Sequence, residues 1–384
     1  MPEIHAKLSA SGSHRWLNCT PSVSMERDFP NNSSVYAAEG TLAHELGEIS
    51  LLRNLKQMTA KEFKKRLEKI MTNELWTADM PDYVDMYIST CMEKVSDARL
   101  RDKIPLFRVE ARLDFHKWVP EGFGTGDFVI VENGRVEICD LKYGKGVPVS
   151  AENNSQMMLY ALGAIAEFDF LYEIKTVKMT IIQPRLDSIS EWEISKEELL
   201  KWAEEVVKPK AELAMKGEGE LVAGEHCTFC KAKSVCRARA EKNLEIAKYE
   251  FRDSKTLSDA EIADVLNRID ELVKWATDVK DYALEEAVNN GVCYPGFKVV
   301  EGRSNRRYTD TERIADILVA NEYKPEKIYK PQELLGLTAM EKIVGKKKLT
   351  ELIGEYIEKP YGKPVLVPET DKRPPYNPAM ADFK

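Results

Sequence analysis

The chain has 384 residues, 43% of them hydrophobic, which is enough for two domains or for one large domain with insertions. Its formal net charge of −8 excludes a polycation that coats nucleic acid, although a local basic groove is still compatible with it. No apolar run approaches the roughly 20 residues that span a bilayer, and residues 1–5 lack the pattern of a secretory signal, so we expect no membrane partner. Seven cysteines without a secretory signal indicate a reducing compartment, so we expect a cytoplasmic protein whose clustered thiols bind metal.

The first hundred residues are predicted to be mainly helical. A short helical turn within residues 11–21 carries Trp16 and Cys19 three positions apart on one face. Residues 37–47 run into a helix that contains His44. Amphipathic spacing predicts two more helices, over residues 61–71 and 83–100, which would pack on a sheet.

A run of strands follows these helices. Residues 106–115 alternate apolar and charged side chains, the pattern of a half-buried strand. Two β-type runs, residues 128–131 and 136–141, then flank Asn133-Gly134, a strong signal for a hairpin. Beyond a helix that starts near residue 153, residues 176–184 and the surroundings of Trp192 predict further strands. A charged helix over residues 196–215 is expected after them.

The hairpin brings chemically active side chains together. Asp127 opens its first strand, while Asp140 and Lys142 share one face of the second and Leu141 lies on the other. Two carboxylates and the Leu141 carbonyl would form a partial, open site for a hard cation such as Mg²⁺. Lys142 could orient an attacking water and offset negative charge on a phosphate. The alternative is a turn residue and an exposed ion pair, but a charged residue inside the apolar strand 136–141 is costly unless it is paired or binds metal.

Three motifs in this region resemble those of the PD-(D/E)XK nuclease superfamily in its RecB-like branch: Gly124-x-x-Asp127, Asp140-x-Lys142 and Gln156-x-x-x-Tyr160. The resemblance implies an α/β fold, with a central mixed β-sheet flanked by helices (a restriction-endonuclease-like core). It also implies metal-dependent hydrolysis of DNA, with an exonuclease as the expected form. The catalytic residues it implies are Asp127, Asp140, Lys142, Gln156 and Tyr160.

The same resemblance assigns a histidine ligand to the metal. The segment around His44 is similar to the first motif of RecB-like nucleases, in which a helical histidine joins the acids. The implied ligands of Mg²⁺ or Mn²⁺ are therefore His44, Asp127, Asp140 and the carbonyl of Leu141. Glu39, Glu48 and Glu110 are further acidic candidates.

A second constellation is Cys227-x-x-Cys230-x-x-x-x-x-Cys236, which supplies three of the four thiolates of a tetrahedral site. Some RecB-like nucleases complete such a set with an N-terminal cysteine and hold a [4Fe-4S] cluster, and Cys19 matches that layout. Zinc is the rival occupant, and His226 could then replace Cys19. Either group would join the start of the chain to this later segment.

The remaining third has a different character. Residues 259–290 are predicted to form one long helix or a helical hairpin, and residues 297–300 a β run. Arg303, Arg306 and Arg307 form a possible phosphate-contacting patch, with a solvated turn as the alternative. A proline-rich tail covers residues 359–384.

The whole length also resembles a phage- and prophage-associated family of undefined function. This implies a role in phage DNA replication or recombination, with DNA, a phage single-strand-binding protein and further copies of the chain as expected partners. We expect a nuclease core over residues 1–245, a helical linker over 246–291 and a small α+β region over 292–384. The alternatives are a catalytically silent DNA-binding or assembly module, and a zinc-stapled structural protein.

Overall fold

The structure is a computed structural model that describes residues 6–30, 35–246, 256–300, 311–320 and 334–357. The arginines of the predicted phosphate-contacting patch, Arg303, Arg306 and Arg307, lie outside the described residues, as does the tail from residue 359 onward.

A five-stranded mixed sheet forms the centre of the molecule, in the order β1-β2-β3-β4-β5. Only β3 and β4 run parallel, and the other neighbours are antiparallel. The strands are β1 (Leu106–Asp114), β2 (Phe123–Glu132), β3 (Arg135–Leu141), β4 (Thr176–Gln183) and β5 (Ser188–Ser195). Helices cover both faces of the sheet, which confirms the predicted α/β fold.

The described helices are α1 (Ser13–Asn18), α2 (Ser22–Met25), α3 (Val35–Asn54), α4 (Ala60–Met71), α5 (Met80–Arg101), α6 (Ser155–Tyr172), α7 (Lys196–Trp202), α8 (Lys208–Lys216), α9 (Arg237–Leu244), α10 (Asp259–Asn289), α11 (Thr311–Ala320), α12 (Leu337–Val344) and α13 (Lys346–Ile353). Helix α6 packs with α1, α7 and α8 in one apolar cluster on the sheet. Helices α3, α4 and α5 form the cluster on the opposite face. The candidate functional site lies where strands of this sheet meet α3 and α6.

The predicted hairpin is present, although its first strand is longer than predicted. Gly134 has a φ of +82° in the turn between β2 and β3, a conformation that glycine adopts without strain. Strand β2 begins at Phe123, because its glycines still pair with β1 through Ala111 and Leu113. Asp127 therefore lies in the middle of a strand and not at its start.

The alternation predicted for β1 is broken at Glu110. Phe107 and Val109 pack in the cluster of α3 to α5, whereas Ala111 and Leu113 pack in the cluster of α6. Regular alternation would place all four on one face. Glu110 has a φ of +50°, and this left-handed residue moves the following side chains to the opposite face.

The chain after β5 differs from the prediction in two places. The helix over residues 196–216 contains a wider π-helical turn, Ala203–Val207, just before Pro209, whose ring nitrogen cannot donate a helical hydrogen bond. Residues 297–300 follow the single long helix α10 without pairing to any strand in the described part of the chain. The β run expected there is wrong, because apolar strand propensity needs a pairing edge to form a ladder.

Candidate metal centre

Asp127 and Asp140 come together through the register of the central hairpin. Phe128 pairs with Cys139 in this antiparallel ladder. Asp127 precedes Phe128 and Asp140 follows Cys139, so the two aspartates lie beside each other on neighbouring strands. The backbone N–H of Leu141 donates to Asp127 Oδ2 at 2.7 Å, which fixes the carboxylate against the end of β3. The structure thus places Asp127 beside the end of β3, where Asp140 and Leu141 lie.

Helix α3 adds His44 to this pair. His44 Nδ1 lies 3.3 Å from Asp127 Oδ2. Possible ligand atoms of His44, Glu110 and Asp127 all lie within 4.8 Å of one another, a spacing that one cation can bridge. Glu110 reaches this group from the left-handed position in β1. The sequence analysis gave Glu110 only as a further acidic candidate. The signal that favours it is an acid between the apolar residues Val109 and Ala111, on the strand that precedes the hairpin.

Asp140 faces the catalytic lysine predicted from the sequence. Its carboxylate is 2% exposed, and Oδ2 lies 2.8 Å from Lys142 Nζ without a well-directed hydrogen bond. Lys142 Nζ donates to Gln156 Oε1 at 2.9 Å, and Gln156 Nε2 donates to Tyr160 Oη at 3.0 Å. The ammonium group is thus held between the end of β3 and the first turn of α6.

The glycine of the first motif allows α6 to lie close to β2. A Cβ atom at Gly124 would approach Tyr160 Cε1 to 2.6 Å. Helix α6 itself begins at Ser155, where the side chain of Asn154 accepts the backbone N–H of Met157 at 3.2 Å. This cap fixes where α6 begins, and therefore where Gln156 and Tyr160 lie along the strands.

The charged groups of the site shift one another's pKa values. Burial lowers the pKa of His44, but the nearby Asp127 carboxylate outweighs it and raises the pKa to about 9. Burial and then the charge of Asp127 raise the pKa of Glu110 to about 7. Burial also raises the pKa of Asp140, which Lys142 partly offsets. For Lys142, burial is outweighed by Asp140, and its pKa lies above the usual value, so its side chain is an ammonium ion.

These donors fit a hard divalent cation. The carboxylate oxygens suit Mg²⁺ or Mn²⁺ better than a thiophilic metal, and His44 would have to lose its proton to bind such a cation. The buried, poorly satisfied Asp140 Oδ2 and the mutual repulsion of the acids are both relieved by a cation. Of the predicted ligands, His44 and Asp127 belong to the close group, Leu141 contributes its amide to Asp127, and Asp140 lies beside it with Lys142.

Two other acidic candidates are engaged elsewhere. Glu48 forms a bidentate pair with Arg66, at 2.7 Å for each contact. Glu39 Oε2 lies 3.0 Å from Arg185 Nη1. Neither belongs to the group around Asp127.

The predicted cysteine set lies where the N-terminal helix α1 packs against a segment late in the chain. Cys19 caps the end of α1, and α1 packs on the 3₁₀ turn Glu225–Phe229, which contains Cys227. Arg15 Nη1 donates to the carbonyl of Phe229 at 3.3 Å. The structure thus brings the two parts of the predicted cysteine set to one region.

The sulfur atoms are more widely spaced than in a compact metal site. Cys19, Cys227, Cys230 and Cys236 are free thiols, and within the described ranges no three of them have sulfurs within 4.8 Å of one another. One zinc ion with bonds of about 2.3 Å would draw them closer than that. Burial, followed by the charge of Glu26, raises the pKa of Cys230 to about 12, so a thiolate there needs a bound cation.

The fold and the site together define an α/β protein with a carboxylate, histidine and lysine centre at the end of its central hairpin. A model of the family described as "Protein of unknown function (DUF2800)" matches residues 5–374, so the chain belongs to that family. Among solved structures, "Crystal structure of SSO0001" is similar at 14% identity and a TM-score of 0.20, covering 59% of this chain and 96% of that one. No helix in the described ranges has the length and apolar content needed to span a membrane.

Proposed function

We propose that the chain is a metal-dependent DNA nuclease, acting as an exonuclease in phage DNA replication or recombination. The observation that carries the proposal is the contact series Asp140–Lys142–Gln156–Tyr160 beside the group of His44, Glu110 and Asp127. This arrangement would place a bound cation beside a fixed ammonium group, and the proposed hydrolysis of a phosphodiester bond uses both.

The proposed division of labour follows from the positions of the side chains. His44, Asp127 and Asp140, with Glu110, would hold Mg²⁺ or Mn²⁺. When bound there, the cation would polarise the phosphate as a Lewis acid and would make a coordinated water more acidic. Lys142 carries a positive charge that orients the attacking water and stabilises the growing charge on the phosphate. Gln156 and Tyr160 keep that ammonium group in place.

We also propose that Cys19, Cys227, Cys230 and Cys236 hold a [4Fe-4S] cluster. Such a cluster binds each thiolate at a separate iron, which suits sulfurs that are not drawn around one point. Its role would be structural, because it would join α1 to the segment that precedes α9. Zinc, with His226 in place of Cys19, is the competing occupant; His226 Nε2 already donates to the Val222 carbonyl at 2.8 Å, which orients the ring.

The proposed biological partners are DNA, a phage single-strand-binding protein and further copies of the chain. The arginines 303, 306 and 307 remain predicted DNA contacts.

Digestion of end-labelled linear DNA by the purified full chain tests the function. We expect degradation with Mn²⁺ and none with EDTA. Lys142→Ala should abolish it, whereas Lys145→Ala, at an exposed position three residues later, should not. Product lengths over time separate exonucleolytic shortening from internal cleavage.

Binding of DNA without any metal-dependent digestion would refute the nuclease proposal in favour of a binding or assembly module. Equal activity of wild type and Lys142→Ala would show that the cleavage does not come from this site.

A further inference from the structure

We infer that Arg112 and Phe123 form a phosphate-binding subsite for the DNA strand that occupies the metal centre. The inference rests on the proposed nuclease function and extends it to a residue outside the sequence motifs. It assigns Arg112 to a phosphate about two nucleotides along the strand from the scissile one.

The first step is the side of the sheet on which Arg112 lies. Ala111 and Leu113 pack in the cluster of α6, so Arg112 between them projects to the opposite face. That face carries α3, whose Leu42 and Ala43 precede His44. Arg112 and His44 therefore stand on the same side of the sheet because of the face switch at Glu110.

The second step is the spacing from the metal ligands. Arg112 follows Glu110 by two residues on a strand, which is about 6.6 Å of chain. This is comparable with the axial rise of two nucleotides, at about 3.4 Å each in a duplex strand. With one phosphate held at the metal centre, the second phosphate along the strand would thus lie within reach of Arg112.

The third step is the preorganisation of the guanidinium group. Arg112 Cζ lies 4.0 Å from the centroid of the Phe123 ring, a close cation–π contact. Phe123 stands across the ladder from Asp114, on the same side as Arg112. The Phe123 ring orients the plane of the Arg112 guanidinium group. The N–H edge of the guanidinium remains available for a phosphate.

The fourth step concerns the charge of Arg112. In the described part of the chain no carboxylate lies within ion-pair distance of it. The adjacent acid, Asp114, instead accepts from the backbone and the ring of His116, at 2.9 Å and 2.5 Å. Arg112 is thus an exposed cation on an edge strand without an ion pair among the described residues, and its charge helps to hold the pKa of the Asp114 carboxyl below its usual value.

The test measures binding of a fluorescein-labelled single-stranded deoxyoligonucleotide by anisotropy. The full chain carries Lys142→Ala and is supplied with Mn²⁺, so that the strand is held without being cut. Arg112→Gln should weaken binding about tenfold, as expected for one charge-assisted hydrogen-bonded contact. It should also reduce the slope of log affinity against log salt by about 0.7, the value for one phosphate contact on a single strand.

Arg99→Gln is the matched control. Arg99 also stacks on an aromatic ring of β1, at 5.3 Å from the Phe107 centroid, but at the end of the strand away from Phe123. It should bind like the parent. Arg112→Lys, which keeps the charge and loses the planar stack, should fall between the parent and Arg112→Gln.

Equal affinity and salt slope for Arg112→Gln and Arg99→Gln would overturn the subsite, even if the wild type cleaves DNA. An Arg112 effect in a chain whose wild type never cleaves would support the subsite and refute the nuclease function. Absence of any DNA binding by the parent would overturn both.

Discussion

Lys142 Nζ donates to Gln156 Oε1 at 2.9 Å, so the ammonium group at the end of β3 is positioned by a helix that begins thirteen residues later. Gln156 is in turn held by Tyr160 at 3.0 Å. The position of the Lys142 ammonium group therefore depends on how α6 packs on the sheet.

Gln156→Leu should lower kcat of DNA hydrolysis by roughly 100-fold with little change in KM, because a misplaced catalytic group is costly even when the substrate still binds. Steady-state kinetics with Mn²⁺ measure this. Glu167→Gln, at an exposed position of the same helix, is the control. A change in KM alone would assign Gln156 to substrate binding.

Glu110→Gln should weaken Mn²⁺ binding roughly tenfold or more, because it removes one carboxylate from the group of possible ligands. Calorimetric titration of the metal-free chain gives the affinity. Glu48→Gln removes an acid that is already paired with Arg66 and acts on Glu110 only through its charge, so it should lower the affinity much less. Equal affinities of the two variants would exclude Glu110 from the metal site.

Anaerobic purification should yield a brown protein with about four irons per chain. Cys19→Ser should lose most of the iron and the visible absorbance, whereas Cys293→Ser, at an exposed position after α10, should keep both. A colourless protein with one zinc would favour the zinc site, and a metal-free protein would return these cysteines to ordinary packing.

Gly124→Ala should destabilise the chain by about 1 to 3 kcal/mol, because its new Cβ would lie 2.6 Å from Tyr160 Cε1 and overpack the helix against β2. Urea unfolding measures the loss. Gly144→Ala is a matched control in the loop after β3, since nothing lies within 4 Å of its added Cβ. Comparable stability of both variants would mean that α6 can shift without cost.

Glu191 should contribute stability that disappears in acid. Burial opposes its ionisation, but hydrogen bonds from Lys94 and Lys178 outweigh this and lower the pKa of Glu191 from 4.5 to about 2. A lowered pKa stabilises the fold fully above about 4.5, and the contribution is lost as the pH falls towards about 2.

The free-energy difference between wild type and Glu191→Gln, from urea unfolding at several pH values, should therefore shrink across that window. Glu197→Gln, an exposed residue of α7, is the control. A difference that stays constant with pH would contradict the linkage. Solvent screening at this half-exposed side chain keeps the effect modest.

The sequence predicted the elements whose signals are local. Asn133-Gly134 located the hairpin, and the parity of Asp140, Leu141 and Lys142 gave their faces, because both depend on neighbouring residues alone. The convergence of His44 on Asp127 came only from a family resemblance.

Features that depend on tertiary packing were not predictable in this way. The alternation in β1 gave no sign of the left-handed Glu110, because a single backbone conformation reverses the faces of the residues after it. Residues 297–300 have strand-like composition, yet their pairing depends on an available sheet edge. The cysteine spacing gave the candidate ligands but not the distances between their sulfurs.

The attachment of the N-terminal segment to residues late in the chain has a consequence for synthesis. Lys7 and Arg15 donate to carbonyls 208 and 214 positions further on, and Thr20 donates to Glu218 O across 198 positions. These contacts can form only after α8 and the segment that follows it have left the ribosome, so the first helix cannot reach its final position before the strands of the sheet have been made. During translation, Trp16 and Leu17, which are buried in the folded chain beside residues of α8, therefore stay exposed until that helix has been made.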